Sequence, residues 1–196
     1  QDILAYAIDR QGRRIYSIGF KNLTTGETID ECILSVTGNM EWGNDNHTLL
    51  YARQDPKTLR SFQIYHHRLG TDPQLDTLVY EETDDTFSVD VDKTKSKRYL
   101  LIGSHQTITS EYRYLDADTP GGEFQLFHAR ERGHEYAVDQ LGDHFWIRTN
   151  DQAKNFRLMK TPLNSTHKTR WQEVISHRSD VFFEGLELFQ NYLVVE

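Results

Sequence analysis

Five short runs of this sequence repeat one another. They cover residues 3–7 (ILAYA), 48–52 (TLLYA), 99–103 (YLLIG), 144–148 (HFWIR) and 191–195 (NYLVV). Aligned on positions 6, 51, 102, 147 and 194, they are separated by 45, 51, 45 and 47 residues. A period of roughly 40–50 residues belongs to arrays whose unit is a small antiparallel sheet of four strands, the blade of a β-propeller. The runs are almost continuously apolar, as strands covered on both faces must be. A β-sandwich is the main alternative, and the fixed period argues against it.

The rest of each period fits the same plan. After each copy comes a better alternated strand, at 15–20, 62–65, 111–115 and 156–159, and then a third at 28–34, 76–80, 124–129 and 172–176. A further run precedes each later copy, at 36–42, 87–91, 136–141 and 183–189, and is the natural axis-lining strand of its blade. Turn formers such as Thr25-Gly26, Gly70-Thr71-Asp72-Pro73 and Thr119-Pro120-Gly121-Gly122 separate them. The pattern predicts 17 strands: an incomplete blade at 1–35, blades at 36–82, 87–131 and 134–177, and the start of another at 181–196. The expected fold is all-β, a partial β-propeller of four-stranded antiparallel blades. Such a chain is expected to be a portion of a longer polypeptide, with strand edges through which copies could self-associate. Its segment 183–189 is not expected to fold back onto 3–9.

Composition narrows the partners. The formal charge is −8 and no basic run occurs, so nucleic acid is excluded and cationic substrates are favoured. Hydrophobic residues at 37% allow a buried core, but no window is long and apolar enough to span a bilayer, so no membrane partner is expected. The first residues read as a strand already under way rather than a leader, which points to the cytoplasm. The three Asn-x-Ser/Thr triplets, at Asn22, Asn46 and Asn164, are then chance matches.

Catalytic and cofactor motifs are missing. There is no Gly-x-Ser-x-Gly elbow, no phosphate-binding glycine loop and no Gly-x-Gly-x-x-Gly, so no cofactor is expected. Cys32 is the one cysteine; it excludes an internal disulfide and a thiolate zinc site, and reads as a buried or half-buried packing residue. His66 and His67 are adjacent in a strand and leave on opposite faces. His105, His128, His134 and His144 are scattered over loops and strands, so no metal site is expected. Trp42, Trp146 and Trp171 read as packing residues.

One cluster stands out. Glu81, Glu82, Asp84 and Asp85 lie on the connection from one blade's outer strand to the next blade's inner strand. Acidic groups there would attract basic peptides, while the plain alternative is a solvated turn.

The run 80–86 (YEETDDT), with Thr94-Lys95-Ser96-Lys97 and Thr109-Ser110-Glu111, is similar to the oligopeptidase B (protease II) branch of the prolyl oligopeptidase family. His134-Glu135-Tyr136, Lys154-Asn155-Phe156, Glu184-Gly185 and the stretch 193–196 extend the resemblance in matching order. The resemblance implies a seven-bladed propeller over an α/β-hydrolase domain, of which about four blades are present here. It further implies a cytosolic serine peptidase that cleaves short peptides after Arg or Lys. The family's catalytic residues lie in the hydrolase domain, so none maps onto this chain, which alone is expected to be inactive. Its implied role is to cap the active site and filter substrates by size, with the hydrolase domain as its partner. A free-standing propeller serving as an interaction scaffold is the competing reading.

Overall fold

The structure, a computed structural model, describes residues 2–196. Its strands form four antiparallel sheets, and the described residues contain no helix beyond two single turns of 3-10 type. The chain divides into two compact units. One runs to Asp92 and takes in Ala117–Glu123; the other comprises Lys93–Asp116 and Phe124–Glu196.

In the first unit, β1 (Ile3–Ile8), β2 (Tyr16–Asn22), β3 (Thr28–Trp42), β4 (Thr48–Gln54), β5 (Ser61–Arg68) and β6 (Thr77–Glu81) lie side by side in sequence order. The next strand, β7, covers Ser88–Lys93. All five residues of 48–52 are buried. Leu49 and Tyr51 face a core with Ile18, Phe20, Ile33 and Val36, while Leu50 and Ala52 are fully buried as well. Burying each large side chain contributes about 1.5–3 kcal/mol, so a run with no polar face is the signature of a strand packed on both sides. Gly19 leaves room for the Tyr6 ring of the paired strand: a Cβ there would lie 2.8 Å from the Tyr6 hydroxyl, and the ring would have to shift.

One expectation is corrected. Residues 28–34 and 36–42 are a single 15-residue strand, so the described strands number 16 and not 17. Val36 pairs with Tyr16 on one side and Arg53 on the other. The chain crosses from one four-strand repeat to the next without a loop, because a β-bulge absorbs the change of direction. Between the pairs Tyr16–Val36 and Ile18–Ile33, β3 advances one residue more than β2, and Ser35 takes φ 59°. No turn former marks that place in the sequence.

In the second unit, β8 (Tyr99–Gln106), β9 (Thr109–Asp116) and β10 (Gln125–His128) are consecutive neighbours. Then β11 (Tyr136–Leu141), β12 (His144–Thr149), β13 (Arg157–Pro162) and β14 (Gln172–Ile175) form a four-stranded sheet. β15 (Leu186–Phe189) pairs with β16 (Tyr192–Val195). The core here is aromatic: Phe145 lies 5.1 Å from both Tyr99 and Phe127, the latter edge-on at 81°.

The five repeated runs are thus β1, β4, β8, β12 and β16, as their period requires. Side chains repeat a bond between elements as well. Ser61 on β5 donates to the Val89 carbonyl of β7 at 2.6 Å, and Ser110 on β9 donates to the Tyr136 carbonyl of β11 at 2.7 Å.

Candidate functional site

The acidic connector leads from β6 to β7, and its four carboxylates are not equivalent. Glu81, Asp84 and Asp85 are exposed, but Glu82 is buried. Its carboxylate accepts from the Tyr80 hydroxyl at 3.1 Å and from the Asp84 backbone N–H at 3.0 Å. Glu82 therefore shapes the turn rather than facing solvent. Asp84 caps the following residues, accepting from the Thr86 N–H at 3.0 Å and hydroxyl at 2.7 Å. The group that holds this path is Arg60, just before β5. Its Nη1 reaches the carbonyls of Phe87 at 2.8 Å, Asp84 at 3.2 Å and Glu82 at 3.5 Å. The two N–H groups of that one nitrogen are shared among the three carbonyls, with Phe87 the nearest. Sequence reasoning missed Arg60, because only the fold brings it beside residues 82–87.

The corresponding connector from β10 to β11 carries the opposite surprise. His128, Glu131 and His134 are not scattered: each offers a ligand atom within 4.8 Å of the others. Residues 131–134 form a turn, with the His134 N–H on the Glu131 carbonyl at 2.9 Å and Gly133 at φ +82°. That turn, which glycine at its third position permits, brings His134 back beside Glu131. His128 Nε2 lies 2.8 Å from Glu131 Oε1, and Lys168 Nζ lies 3.3 Å and 3.4 Å from the two Glu131 oxygens. The His128 hydrogen bond and the Lys168 ammonium hold the Glu131 carboxyl below its usual range. Burial, reinforced by the Lys168 charge, pushes the His134 imidazolium down to about 4, so the ring is neutral at pH 7. The signal that could have found this cluster was the His-x-x-Glu-x-x-His spacing together with the Arg132-Gly133 turn.

A second histidine constellation lies in the first unit. His67 is fully buried, with Nε2 against Glu31 Oε1 and Nδ1 2.8 Å from Asp76 Oδ1. Asp76 Oδ2 also accepts from the Tyr51 hydroxyl at 2.8 Å. Burial, followed by the Asp76 bond, pushes the Tyr51 phenol well above its ordinary value. Asp76 lines a cleft of about 560 Å³ with Cys32, Leu34, Arg53, Tyr65 and Asp72. Cys32 is exposed there, which corrects the expected packing role: Ile33 takes the inward position on β3 and its neighbour faces out. His66, as expected, does not join His67, and is half-buried. Trp171 is buried against Phe127 and Tyr136, a packing residue as read.

Sheets repeating at this period define a β-propeller chain. Residues 1–196 match the family described as prolyl oligopeptidase, N-terminal beta-propeller domain, and the chain belongs to that family. It is 43% identical over 194 residues to dipeptidyl aminopeptidase BI of Pseudoxanthomonas mexicana, covering 98% of this chain and 27% of that protein. Identity to protease 2 of Moraxella lacunata is 32%, covering 98% of this chain and 28% of that one. Among solved structures, oligopeptidase B from Leishmania major superposes with a TM-score of 0.90 at 32% identity, over 99% of this chain and 27% of that one. Oligopeptidase B from Trypanosoma brucei, a closed form with covalently bound antipain, gives 0.87 at 25% identity, over 98% and 27%. The chain thus spans little more than a quarter of the length of these relatives. No helix among the described residues is long and apolar enough to cross a membrane.

Proposed function

We propose that this chain is the substrate-restricting part of a cytoplasmic serine oligopeptidase that cleaves short peptides after Arg or Lys. The observation that carries the reading is the similarity to oligopeptidase B, at TM-score 0.90 and 32% identity along almost the whole chain. The nucleophile, its base and the oxyanion donors would belong to an α/β-hydrolase domain outside these residues. The chain's own contribution is exclusion and positioning: a propeller packed over the active site admits short peptides, keeps folded proteins out, and helps to desolvate the reaction on closure. A closed form of the T. brucei relative supports gating of that kind. The formal charge of −8 and the exposed Glu81, Asp84 and Asp85 suit a basic substrate.

One observation favours a second reading. The 43% identical relative is a dipeptidyl aminopeptidase, a name that implies removal of dipeptides from a free amino end. The test uses the full-length protein on chromogenic peptides ending in Arg, Lys or Pro, each with a free or a blocked amino terminus. Turnover of blocked Arg and Lys peptides, abolished by a serine-directed covalent inhibitor, is expected. Turnover confined to free-amine substrates would establish the second reading. Preference for Pro, or indifference to the inhibitor, would overturn the first. These 196 residues alone should be inactive on every substrate.

A further inference from the structure

We propose that His128, Glu131 and His134 form a binding site for a divalent transition-metal ion of the zinc type. Their ligand atoms lie within 4.8 Å of one another. Tetrahedral zinc, with bonds of about 2.0–2.1 Å, sets its ligand atoms about 3.3 Å apart. The His128–Glu131 pair at 2.8 Å must open by about 0.5 Å, and a pair at the 4.8 Å limit must close by about 1.5 Å, which rotation of the more exposed Glu131 and His128 side chains toward His134 supplies.

An independent observation points to a ligand. His134 is only 5% exposed, and its Nδ1 is buried with no hydrogen-bond partner among the described residues. Its other nitrogen, Nε2, lies 2.8 Å from the Thr149 hydroxyl oxygen, which also accepts from the Asp151 N–H at 3.1 Å. With the proton on Nε2 and donated to Thr149, Nδ1 presents a bare lone pair. Metal-bound histidines are arranged in this way: one ring nitrogen hydrogen-bonded to fix tautomer and orientation, the other ligating. A buried polar atom without a partner is costly, and a metal ion removes that cost.

The His134 ring and the backbone that carries the other two ligands are held in place. The His134 ring stacks on Tyr136 at 5.1 Å, and the Tyr136 hydroxyl donates to the His128 carbonyl at 2.6 Å. Trp171 packs against both histidines, at 5.5 Å and 6.1 Å. The Gly133 N–H donates to the Thr109 hydroxyl at 3.1 Å, and Asn150 donates to the Gly133 carbonyl at 3.0 Å. Two imidazoles and a carboxylate suit zinc better than calcium or magnesium, which take oxygen ligands.

Lys168 competes for the site. Its ammonium now neutralises Glu131, so the incoming ion must displace it. Lys168 has a second partner, Asp151 at 2.8 Å, and can yield Glu131 without becoming an unpaired charge. His128, which now shares a proton with Glu131 through Nε2, ligates after that proton passes to its Nδ1. Bound metal would brace the β10–β11 connector; no catalytic step is assigned to it.

The experiment uses the full-length protein, stripped with a chelator, then titrated with Zn²⁺ by calorimetry and with Co²⁺ by visible absorption. One equivalent per chain is expected to disappear in His128→Ala and in Glu131→Gln. Replacing a single ligand should weaken binding by about 100-fold or more, at the upper end of what loss of a mere supporting hydrogen bond costs. Lys168→Met should tighten binding, because it removes the competing cation. Glu131 is half exposed, so its glutamine variant keeps the fold, and circular dichroism checks this independently. Zn²⁺ should raise the Tm of the wild type and not that of Glu131→Gln. Equal stoichiometry and affinity in the wild type and Glu131→Gln, or binding unchanged or weakened in Lys168→Met, would overturn the proposal and leave His134 Nδ1 to an ordered water.

Discussion

The connectors 82–87 and 129–135 occupy equivalent places in the repeat, and they are held by side chains of opposite charge. Next to each lies a serine, Ser61 or Ser110, whose hydroxyl donates to the backbone of the following inner strand. The residue beside that serine differs. Before Ser61 stands Arg60, which donates to three carbonyls of the first connector. After Ser110 stands Glu111, whose Oε2 accepts from the Arg130 backbone N–H at 2.9 Å. Its Oε1 meets Arg113 at 2.6 Å and Arg130 Nη2 at 3.1 Å. A donor clamp uses up carbonyls and leaves the carboxylates of Asp84 and Asp85 exposed, while Glu82 turns inward. An acceptor clamp uses up an N–H, and the turn that follows carries a ring nitrogen inward. The repeat sets where a connector runs, and one neighbouring side chain sets what chemistry it displays.

The largest expected effect comes from breaking the acceptor clamp. Glu111 is 7% exposed at its side chain and joins two arginines, so Glu111→Ala should cost about 2–4 kcal/mol, seen as a lower urea midpoint. The donor clamp should matter less, since its acceptors are neutral backbone carbonyls and no opposite charge is left unpaired when it is removed. Arg60→Ala is expected to cost about 1–2 kcal/mol, with faster proteolysis at residues 82–87. Arg60→Lys should recover only part of this, because the shorter side chain ends its ammonium short of the place that Nη1 occupies. Equal losses in the two alanine variants would remove the distinction drawn between the clamps.

Acid sharpens the comparison. Burial works to raise the Glu111 pKa, but the hydrogen bonds from Arg130 and the charge of Arg113 outweigh it and hold the carboxyl below its ordinary 4.5. The folded value lies below the unfolded one, so this contribution is complete above pH 4.5 and is lost as pH falls through the folded value. Urea midpoints measured from neutral pH downward should show a steeper acid loss in the wild type than in Glu111→Gln. Arg60 binds carbonyls, which do not titrate, so Arg60→Ala should keep the wild-type acid slope.

The smallest effect concerns the exposed carboxylates. Neutralising Glu81, Asp84 and Asp85 together in the full-length protein should lower kcat/KM for basic peptides at low salt. The difference should fade as the Debye length shrinks to about 8 Å near physiological ionic strength. Adding Glu82→Gln should reduce stability rather than kcat/KM, because Glu82 bonds Tyr80 and Asp84 instead of facing the substrate. An unchanged kcat/KM across the salt series would mark this connector as an ordinary solvated turn.

The amino-acid sequence by itself determined the strands and their period. Runs such as 48–52 and 99–103 are apolar on both faces, and that property is written residue by residue along the chain. It therefore survives without coordinates, and with it the all-β class and the family resemblance. Tertiary structure decided the polar partnerships. Glu82 and Glu81 are the same residue type one position apart, yet one is buried against Tyr80 and the other exposed. Glu131, between the two histidines, meets Lys168 across 37 positions, and Arg60 meets Phe87 across 27. The bulge at Ser35 likewise arises from pairing on both sides of β3, which no local turn former signals. Apolar burial depends on a residue's own side chain and periodicity, whereas a hydrogen bond or ion pair depends on where a distant segment places its partner.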